Sequence, residues 1–386
     1  MKTYDVVIIG AGLAGLQCAK LLSQSGAKIL LVDRKTDLSK GVHTTGIFVR
    51  KTLEDFDFPS GTLGQPIRNV TLYSPKLKSV DLESEKDEFR VGKMGLIYDE
   101  LLNDSVANGV NFARATSYKG LEISDDFSIV KLEKRGESYS VKTKVLIGAD
   151  GANSRVAKDL QLDENNEFIV GYEQVFHSES SNREPRLHCF LDAKLAPGYL
   201  AWIADDGEEI HIGVGGYAAE FNPREALKSF KEKTGDLIDL KGVELKETRG
   251  GQIPVGGVLR KIANKNGLLI GDAAGAVSPL TAGGLDPAMR LSKFAAEIIL
   301  ERLRTNDPKV LQQFSGDLFR ARFVSRLWMR RIIKTFTNQR LLELCFTFLR
   351  GKIGKKFAKH VFFGRGSFPD VEFKNSSVVG YQKSEV

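Results

Sequence analysis

The sequence predicts an α/β fold: a Rossmann-type dinucleotide-binding domain, an inserted antiparallel β-sheet domain, and a helical C-terminal region. Two glycine-rich segments and one uneven charge distribution predict it. The first segment, Val6-Val7-Ile8-Ile9-Gly10-Ala11-Gly12-Leu13-Ala14-Gly15, stands near the N-terminus. The second, Leu268-Leu269-Ile270-Gly271-Asp272-Ala273-Ala274-Gly275, comes about 260 residues later and is followed by Pro279-Leu280-Thr281-Ala282-Gly283-Gly284-Leu285. The third feature is a basic, apolar-rich stretch over residues 318–366.

Residues 4–9 form an apolar run with Asp5 as its one charge, which fits a strand buried on both faces of a parallel sheet. Gly10 permits the tight turn, Gly12 lets a phosphate approach the backbone, and Gly15 lets the following helix pack close to the strand. Leu16, Cys18, Ala19, Leu21 and Leu22 continue that helix to near Gly26. Its start, at Leu13 and Ala14, offers free N–H groups and a positive dipole end to a pyrophosphate. Residues 28–32 are a second apolar strand, closing on Asp33 and Arg34. Asp33 lies 23 residues after Gly10, where a ribose-binding acid is expected. This motif by itself does not separate NAD from FAD. Residues 144–147 and 267–270 are two more short strands. The first runs into Gly148-Ala149-Asp150-Gly151, where Asp150 reads equally as a cofactor contact and as a turn residue. The second runs into Gly271 and Asp272. Gly283 and Gly284 then open a helix through Leu285, Ala288, Met289, Leu291, Phe294, Ala295 and Ile298. Together the two glycine segments point to a single FAD, held at its pyrophosphate by one and at its ribityl chain and ring by the other.

The dinucleotide domain is discontinuous: residues 1–70, 91–165 and 262–310. Residues 71–90 and 166–261 are β-rich, with alternation in 70–75 and 210–215, and form the substrate domain. Residues 221–235 read as a helix, with Asn222-Pro223 near its start. A basic amphipathic helical region follows over 311–368, and a polar tail over 369–386.

The chain has 386 residues and a net charge of +7. Residues 318–366 alone carry +12, so the remainder carries −5. In that stretch Lys and Arg interleave with bulky apolar residues at helical spacing. Two readings follow. The helices lie on an anionic membrane surface, or they cap the body with their apolar face inward and their cations in solvent. No recognition motif accompanies the charge, so a nucleic-acid role is not read from it. Three scattered cysteines without CxxC, and five histidines without paired ligand spacing, give no disulfide framework and no metal site. No signal peptide and no apolar run of spanning length is read. The expected location is the cytoplasm, with peripheral contact at the inner membrane face under the first reading.

The glycine segments and Asp272 resemble those of FAD-dependent oxidoreductases of the para-hydroxybenzoate hydroxylase superfamily. That resemblance implies a Rossmann-type FAD-binding domain, Asp150 near the cofactor, and Gly271-Asp272 with Asp272 on the ribityl hydroxyls. It also implies Gly283, Gly284 and Leu285 beside the isoalloxazine, with Pro279 among the cofactor-binding residues. The hydroxylases usually carry His or Tyr where this chain has Gly275. The run Gly-Asp-Ala-Ala-Gly, then Pro-Leu-Thr and a Gly-Gly-hydrophobic step, is more similar to the geranylgeranyl reductase branch. Those reductases often carry a cysteine where this loop reads Lys40-Gly41-Val42-His43-Thr44-Thr45-Gly46, and they carry an arginine where Gly95 stands. Their aromatic Tyr-x-Trp-x-Phe-Pro motif is matched here only by Tyr199 and Trp202, at altered spacing.

The resemblance implies reduction of carbon–carbon double bonds in a hydrophobic, isoprenoid or lipid-like substrate. The electron donor is external, NAD(P)H or a ferredoxin-like protein. Thr44, Thr45 and Gly46 are placed at the flavin edge, with Tyr199 and Trp202 as cavity walls. No catalytic residue is assigned. The alternatives are an FAD monooxygenase of an aromatic or polyprenyl substrate and a non-redox flavin-dependent lipid cyclase.

Overall fold

Strand Lys2–Ile9 runs through the middle of an eight-stranded sheet. Ile29–Val32 and then Asn111–Ala113 lie on one side of it, and Glu137–Gly148 and Gly267–Leu269 on the other. All these pairs are parallel. Val6, Val7, Ile8, Val145, Leu146 and Ile147 are wholly buried, which is why these segments read as continuous apolar runs. The chain description comes from a computed structural model covering residues 1–364, apart from 125–126, 178–183, 220, 239, 241, 321–322 and 336–337. The expected tail, 369–386, lies outside the described residues, as do Arg322, Phe336 and Arg365 of the basic stretch.

Helix Leu13–Ser23 packs against both Met94–Ala107 and Leu285–Thr305. Strand Glu137–Gly148 is long enough to serve two partners. Its first half pairs antiparallel with Ser128–Lys134, its second half parallel with Lys2–Ile9. The segment that ends in Asp150 is thereby fixed beside the first glycine turn.

A second sheet, of seven strands, runs in the order Leu245–Pro254, Phe168–His177, Glu209–Gly216, Ala201–Asp205, Arg186–Phe190, Asn69–Tyr73 and Ser79–Glu83. It is antiparallel except where Arg186–Phe190 runs parallel to Asn69–Tyr73. Those two strands come from chain segments far apart in sequence, so no hairpin constrains their direction. Helix Pro223–Lys233 covers part of this sheet and buries Phe230. Its start is set by Asn222, whose side chain accepts from the Arg224 amide at 3.0 Å, and by Pro223 in the first turn.

Three helices close the description: Val324–Thr335, Gln339–Leu349 and Lys352–Phe363. They are tied to the second sheet. Glu343 accepts from the Lys76 amide at 2.6 Å, and Lys359 donates to the Glu83 carbonyl at 2.8 Å. Just before them Phe319 and Phe323 sit in the main core. Among the described residues no helix is long and apolar enough to cross a membrane.

Candidate active site

One cavity of about 1380 Å³ connects both glycine turns, the second sheet and the C-terminal helices. At one end lies the turn after Lys2–Ile9. Gly10 has φ +103°, and a side chain there would run into the Ala149 carbonyl. Gly15 lies outside the cavity lining; a Cβ on it would strike the Gly10 carbonyl, so its role is close packing of helix on strand. Gly12, Leu13 and Ala14 line the cavity, and the helix start has no side-chain cap. Asp33 braces this turn: its Oδ2 accepts from the Ala11 amide at 2.7 Å and its Oδ1 from Lys35 at 2.8 Å. Arg34 stands beside it on the cavity wall.

Asp150 also lines the cavity, but both its carboxylate oxygens are engaged. Oδ1 accepts from Ser154 Oγ at 2.6 Å, and Oδ2 from the amides of Arg155 and Val156 at 2.8 and 3.2 Å. It holds the start of helix Arg155–Asp159, in keeping with its reading as a turn residue.

The second glycine segment sits further along the same cavity. Gly271 and Asp272 line it, and burial without a charged partner pushes the Asp272 carboxyl up to about 6. Gly283, Gly284 and Leu285 follow at the start of helix Leu285–Thr305, again without a side-chain cap. The acid in that first turn, Asp286, is already committed. Thr52 Oγ1 and Arg290 Nε each donate to its Oδ1 at 2.8 Å, and Arg290 also binds Asp55 at 2.7 Å. The helix start therefore presents a positive dipole end to the cavity. Pro279 departs from the sequence expectation: it is buried beside Gly257, outside the lining, where its neighbours Ser278 and Leu280 stand instead.

Two uncapped helix starts, a glycine cradle that a Cβ would fill, and a half-buried carboxyl with no cation partner among the described residues make a chemically sensible donor set for FAD. Free amides at a helix start suit a diphosphate or an electron-rich ring edge, and a carboxylate suits hydroxyls.

Between the two ends lies a buried ionic cluster that sequence reasoning missed. Glu173, 3% exposed, accepts from Thr45 Oγ1 at 2.5 Å and from Trp202 Nε1 at 2.9 Å. Its other oxygen lies 3.4 Å from His211 Nδ1 and 3.6 Å from Arg249. Burial alone would raise its pKa, but His211, Thr45 and Arg249 hold it below the ordinary value. Arg249 donates to the Thr44 carbonyl at 2.8 Å, so Arg249 and Glu173 both hold the 44–46 loop to the second sheet, and Gly46 donates to Thr44 Oγ1 at 3.2 Å within it. The signal was faint: Glu173, His211 and Arg249 lie on three different strands and are brought together only by sheet order.

Tyr199 and Trp202 line the cavity as a T-shaped pair, 6.5 Å between centroids. Their rings lie over Gly213 and Gly215, where any Cβ would collide with them. Tyr199 OH donates to the Thr281 carbonyl at 2.6 Å, joining this wall to the second glycine segment.

The C-terminal helices supply the far wall. Met329, Ile333, Leu342, Leu349 and Phe362 line it, and so do Arg326 and Arg330. Most of the described cations of this region, Arg331, Lys334, Arg340, Arg350, Lys352, Lys355, Lys356 and Lys359 among them, are exposed. On Val324–Thr335 the apolar stripe Val324, Trp328 and Ile332 is exposed, and Arg330 is buried.

These features define an FAD-dependent oxidoreductase. The sequence matches the FAD binding domain family over residues 96–329 and the pyridine nucleotide-disulphide oxidoreductase family over residues 4–183. It is 28% identical over 375 residues to a digeranylgeranylglycerophospholipid reductase of Methanocaldococcus jannaschii, spanning 93% of this chain and 94% of that protein. It is 28% identical over 318 residues to the protein of the same name from Methanosarcina acetivorans, spanning 79% and 77%. A geranylgeranyl bacteriochlorophyll reductase-like structure from Thermoplasma acidophilum superposes with a TM-score of 0.81 at 19% identity, over 95% of this chain and 98% of that one. A p-nitrophenol 4-monooxygenase from Pseudomonas putida superposes at 0.66 and 15% identity, over 95% of each chain. The chain belongs to the FAD-binding-domain family and, within the para-hydroxybenzoate hydroxylase superfamily, is geranylgeranyl reductase-like.

Proposed function

We propose that this protein reduces carbon–carbon double bonds of an isoprenoid lipid. The cavity carries the reading. It runs from the two glycine turns, past Tyr199 and Trp202, into an apolar space walled by Met329, Ile333, Leu342, Leu349 and Phe362. A polar aromatic substrate has no need of so long an apolar wall; a polyprenyl chain does. Similarity to the archaeal reductases over most of the chain supports the same substrate class.

In this reading Gly10, Gly12, Leu13 and Ala14 hold the FAD pyrophosphate by their amides, with Asp33 on the ribose and Arg34 alongside. Asp272 takes the ribityl hydroxyls. Gly283, Gly284 and Leu285 face the pyrimidine edge, where the helix dipole favours negative charge. Thr44, Thr45 and Gly46 border the ring. FAD, when bound, supplies the two electrons for the double bond. Tyr199 and Trp202 hold the alkene over the cofactor, and the apolar wall excludes water. The reductant is external: NAD(P)H or a ferredoxin-like protein.

The lipid reaches the cavity from a membrane surface. Ile332 and Phe357 both line the cavity and stand exposed, and Trp328, Leu344, Phe348 and Ile353 on the same three helices are exposed as well. Lys352, Lys355, Lys356 and Lys359 surround this apolar patch in sequence, which suits an anionic lipid surface.

The test is reoxidation. Protein reduced without oxygen, then mixed with polyprenyl lipids, should regain the oxidised flavin spectrum at a rate set by lipid concentration. Reoxidation only after oxygen is admitted would favour a monooxygenase and overturn the proposal.

A further inference from the structure

The far wall of the cavity holds two guanidinium groups without a carboxylate partner among the described residues. Arg326 and Arg330 stand one turn apart on helix Val324–Thr335, and both line the cavity. Arg330 is 2% exposed. Its Nε donates to the Tyr217 hydroxyl at 3.2 Å, and its Cζ lies 5.0 Å from the Tyr217 ring and 5.7 Å from the Tyr199 ring. Its Nη2 is buried and has no hydrogen-bond partner. Arg326 Nη1 donates to Ser278 Oγ at 3.0 Å.

The nearby acids are committed elsewhere. Asp286, the carboxylate that faces Arg326, accepts from Thr52 and Arg290. Glu167 accepts from the Tyr217 hydroxyl at 2.7 Å and lies 4.0 Å from Lys334, which continues the same helix face one turn on. The face formed by Arg326, Arg330 and Lys334 thus carries more positive than negative charge. A buried guanidinium with an unpartnered N–H is unfavourable in a low-dielectric wall unless an anion completes it.

We infer that Arg326 and Arg330 form a subsite for the phosphate of a phosphorylated isoprenoid or glycerophospholipid, with Ser278 and Tyr217 fixing the two guanidinium groups. The subsite rests on the isoprenoid-lipid reading of the cavity. Paired guanidiniums match phosphate because each presents a planar fork of N–H donors to two oxygens. The hydrocarbon is left to Met329, Ile333 and Leu342 around them. Head and chain are then recognised by different groups of one helical wall, and the anionic head fixes which double bonds lie near the cofactor.

Calorimetric titration of full-length, FAD-loaded protein tests this. Three probes are used: an isoprenyl monophosphate, the alcohol of the same chain, and inorganic phosphate. The monophosphate is expected to bind at least about tenfold more tightly than the alcohol, and inorganic phosphate far more weakly than either. Arg330→Met should abolish the preference, the monophosphate-to-alcohol affinity ratio falling to about one. Arg326→Gln should reduce it independently, and Arg330→Lys should keep part of it. Arg331→Gln, on an exposed neighbour, should change nothing. Double-bond reduction is scored separately, so a phosphate preference without reduction refutes the proposed reaction and upholds the subsite. Equal affinity for alcohol and monophosphate in the native protein overturns the subsite. So does an Arg330→Met protein that retains its flavin and its phosphate preference, or inorganic phosphate binding as tightly as the lipid phosphate.

Discussion

Thr45 and Trp202 donate hydrogen bonds to the same oxygen of one buried carboxylate, Oε2 of Glu173, at 2.5 and 2.9 Å. Thr45 belongs to the loop beside the first sheet's ligand edge, and Trp202 to the sheet above it. A single acid therefore sets the separation between a loop proposed to border the cofactor and a wall proposed to hold the substrate.

Removing that acid leaves His211 and Arg249 buried without their shared partner. Glu173→Ala should destabilise the protein by about 3–5 kcal/mol, as expected when one side of a buried ion pair is deleted. Glu173→Gln keeps the acceptor and should cost less. Denaturant unfolding followed by tryptophan fluorescence checks both, and native-like stability in Glu173→Ala contradicts the assignment.

The same cluster predicts a pH dependence. Burial pulls the His211 pKa down, but the carboxylates of Glu173 and Glu209 outweigh it and hold His211 up at about 9. Its folded value lies above the free imidazole's, about 6.5. Its stabilising contribution is therefore complete below about pH 6.5 and is lost as the pH rises through 9. The stability gap between the native protein and His211→Gln should narrow across that interval. A gap that stays constant there contradicts the ionised His211.

Asp272 is proposed to accept from the ribityl hydroxyls. Asp272→Ala should weaken FAD binding about tenfold or more, the worth of a hydrogen bond to a charged group. Titrating flavin-free protein with FAD measures it, and native affinity in the variant removes Asp272 from the cofactor site.

Gly213→Ala should displace the Trp202 ring, since a Cβ there would occupy the space of the indole. A cost of about 1–3 kcal/mol is expected from overpacking, with loss of the Trp202 bond to Glu173. A crystal structure of the variant with the indole unmoved contradicts the packing account.

The first glycine turn is legible in the sequence because its backbone tolerates few residues: Gly10 combines a positive φ with a carbonyl at contact distance. The buried parallel strands are legible from their uninterrupted apolar runs. The Glu173–His211–Arg249 cluster is not, because the three residues lie far apart in sequence and become neighbours only through strand order. The inward turn of Arg330 is not legible either, for a different reason. Helical spacing reveals a basic face but not the direction in which it turns, and here Val324, Trp328 and Ile332 face outward. Pro279 shows a third limit: its neighbours in sequence reach the cavity and it does not.

The outward apolar residues predict the lipid surface. Replacing Leu344, Phe348 and Ile353 with serine should abolish binding to anionic vesicles without lowering thermal stability, since these side chains are 68%, 60% and 75% exposed. Binding of the native protein should weaken with added salt as charge attraction is screened. Vesicle flotation measures both, and unchanged binding in the triple variant rejects this face.

The proposed reaction is tested most directly by product mass. Purified, FAD-loaded protein, a chemical reductant and a polyprenyl lipid are combined without oxygen, and the extracted lipid is weighed by mass spectrometry. A gain of two hydrogens for each double bond lost is predicted. Unchanged mass, or an added oxygen that appears only in air, contradicts it.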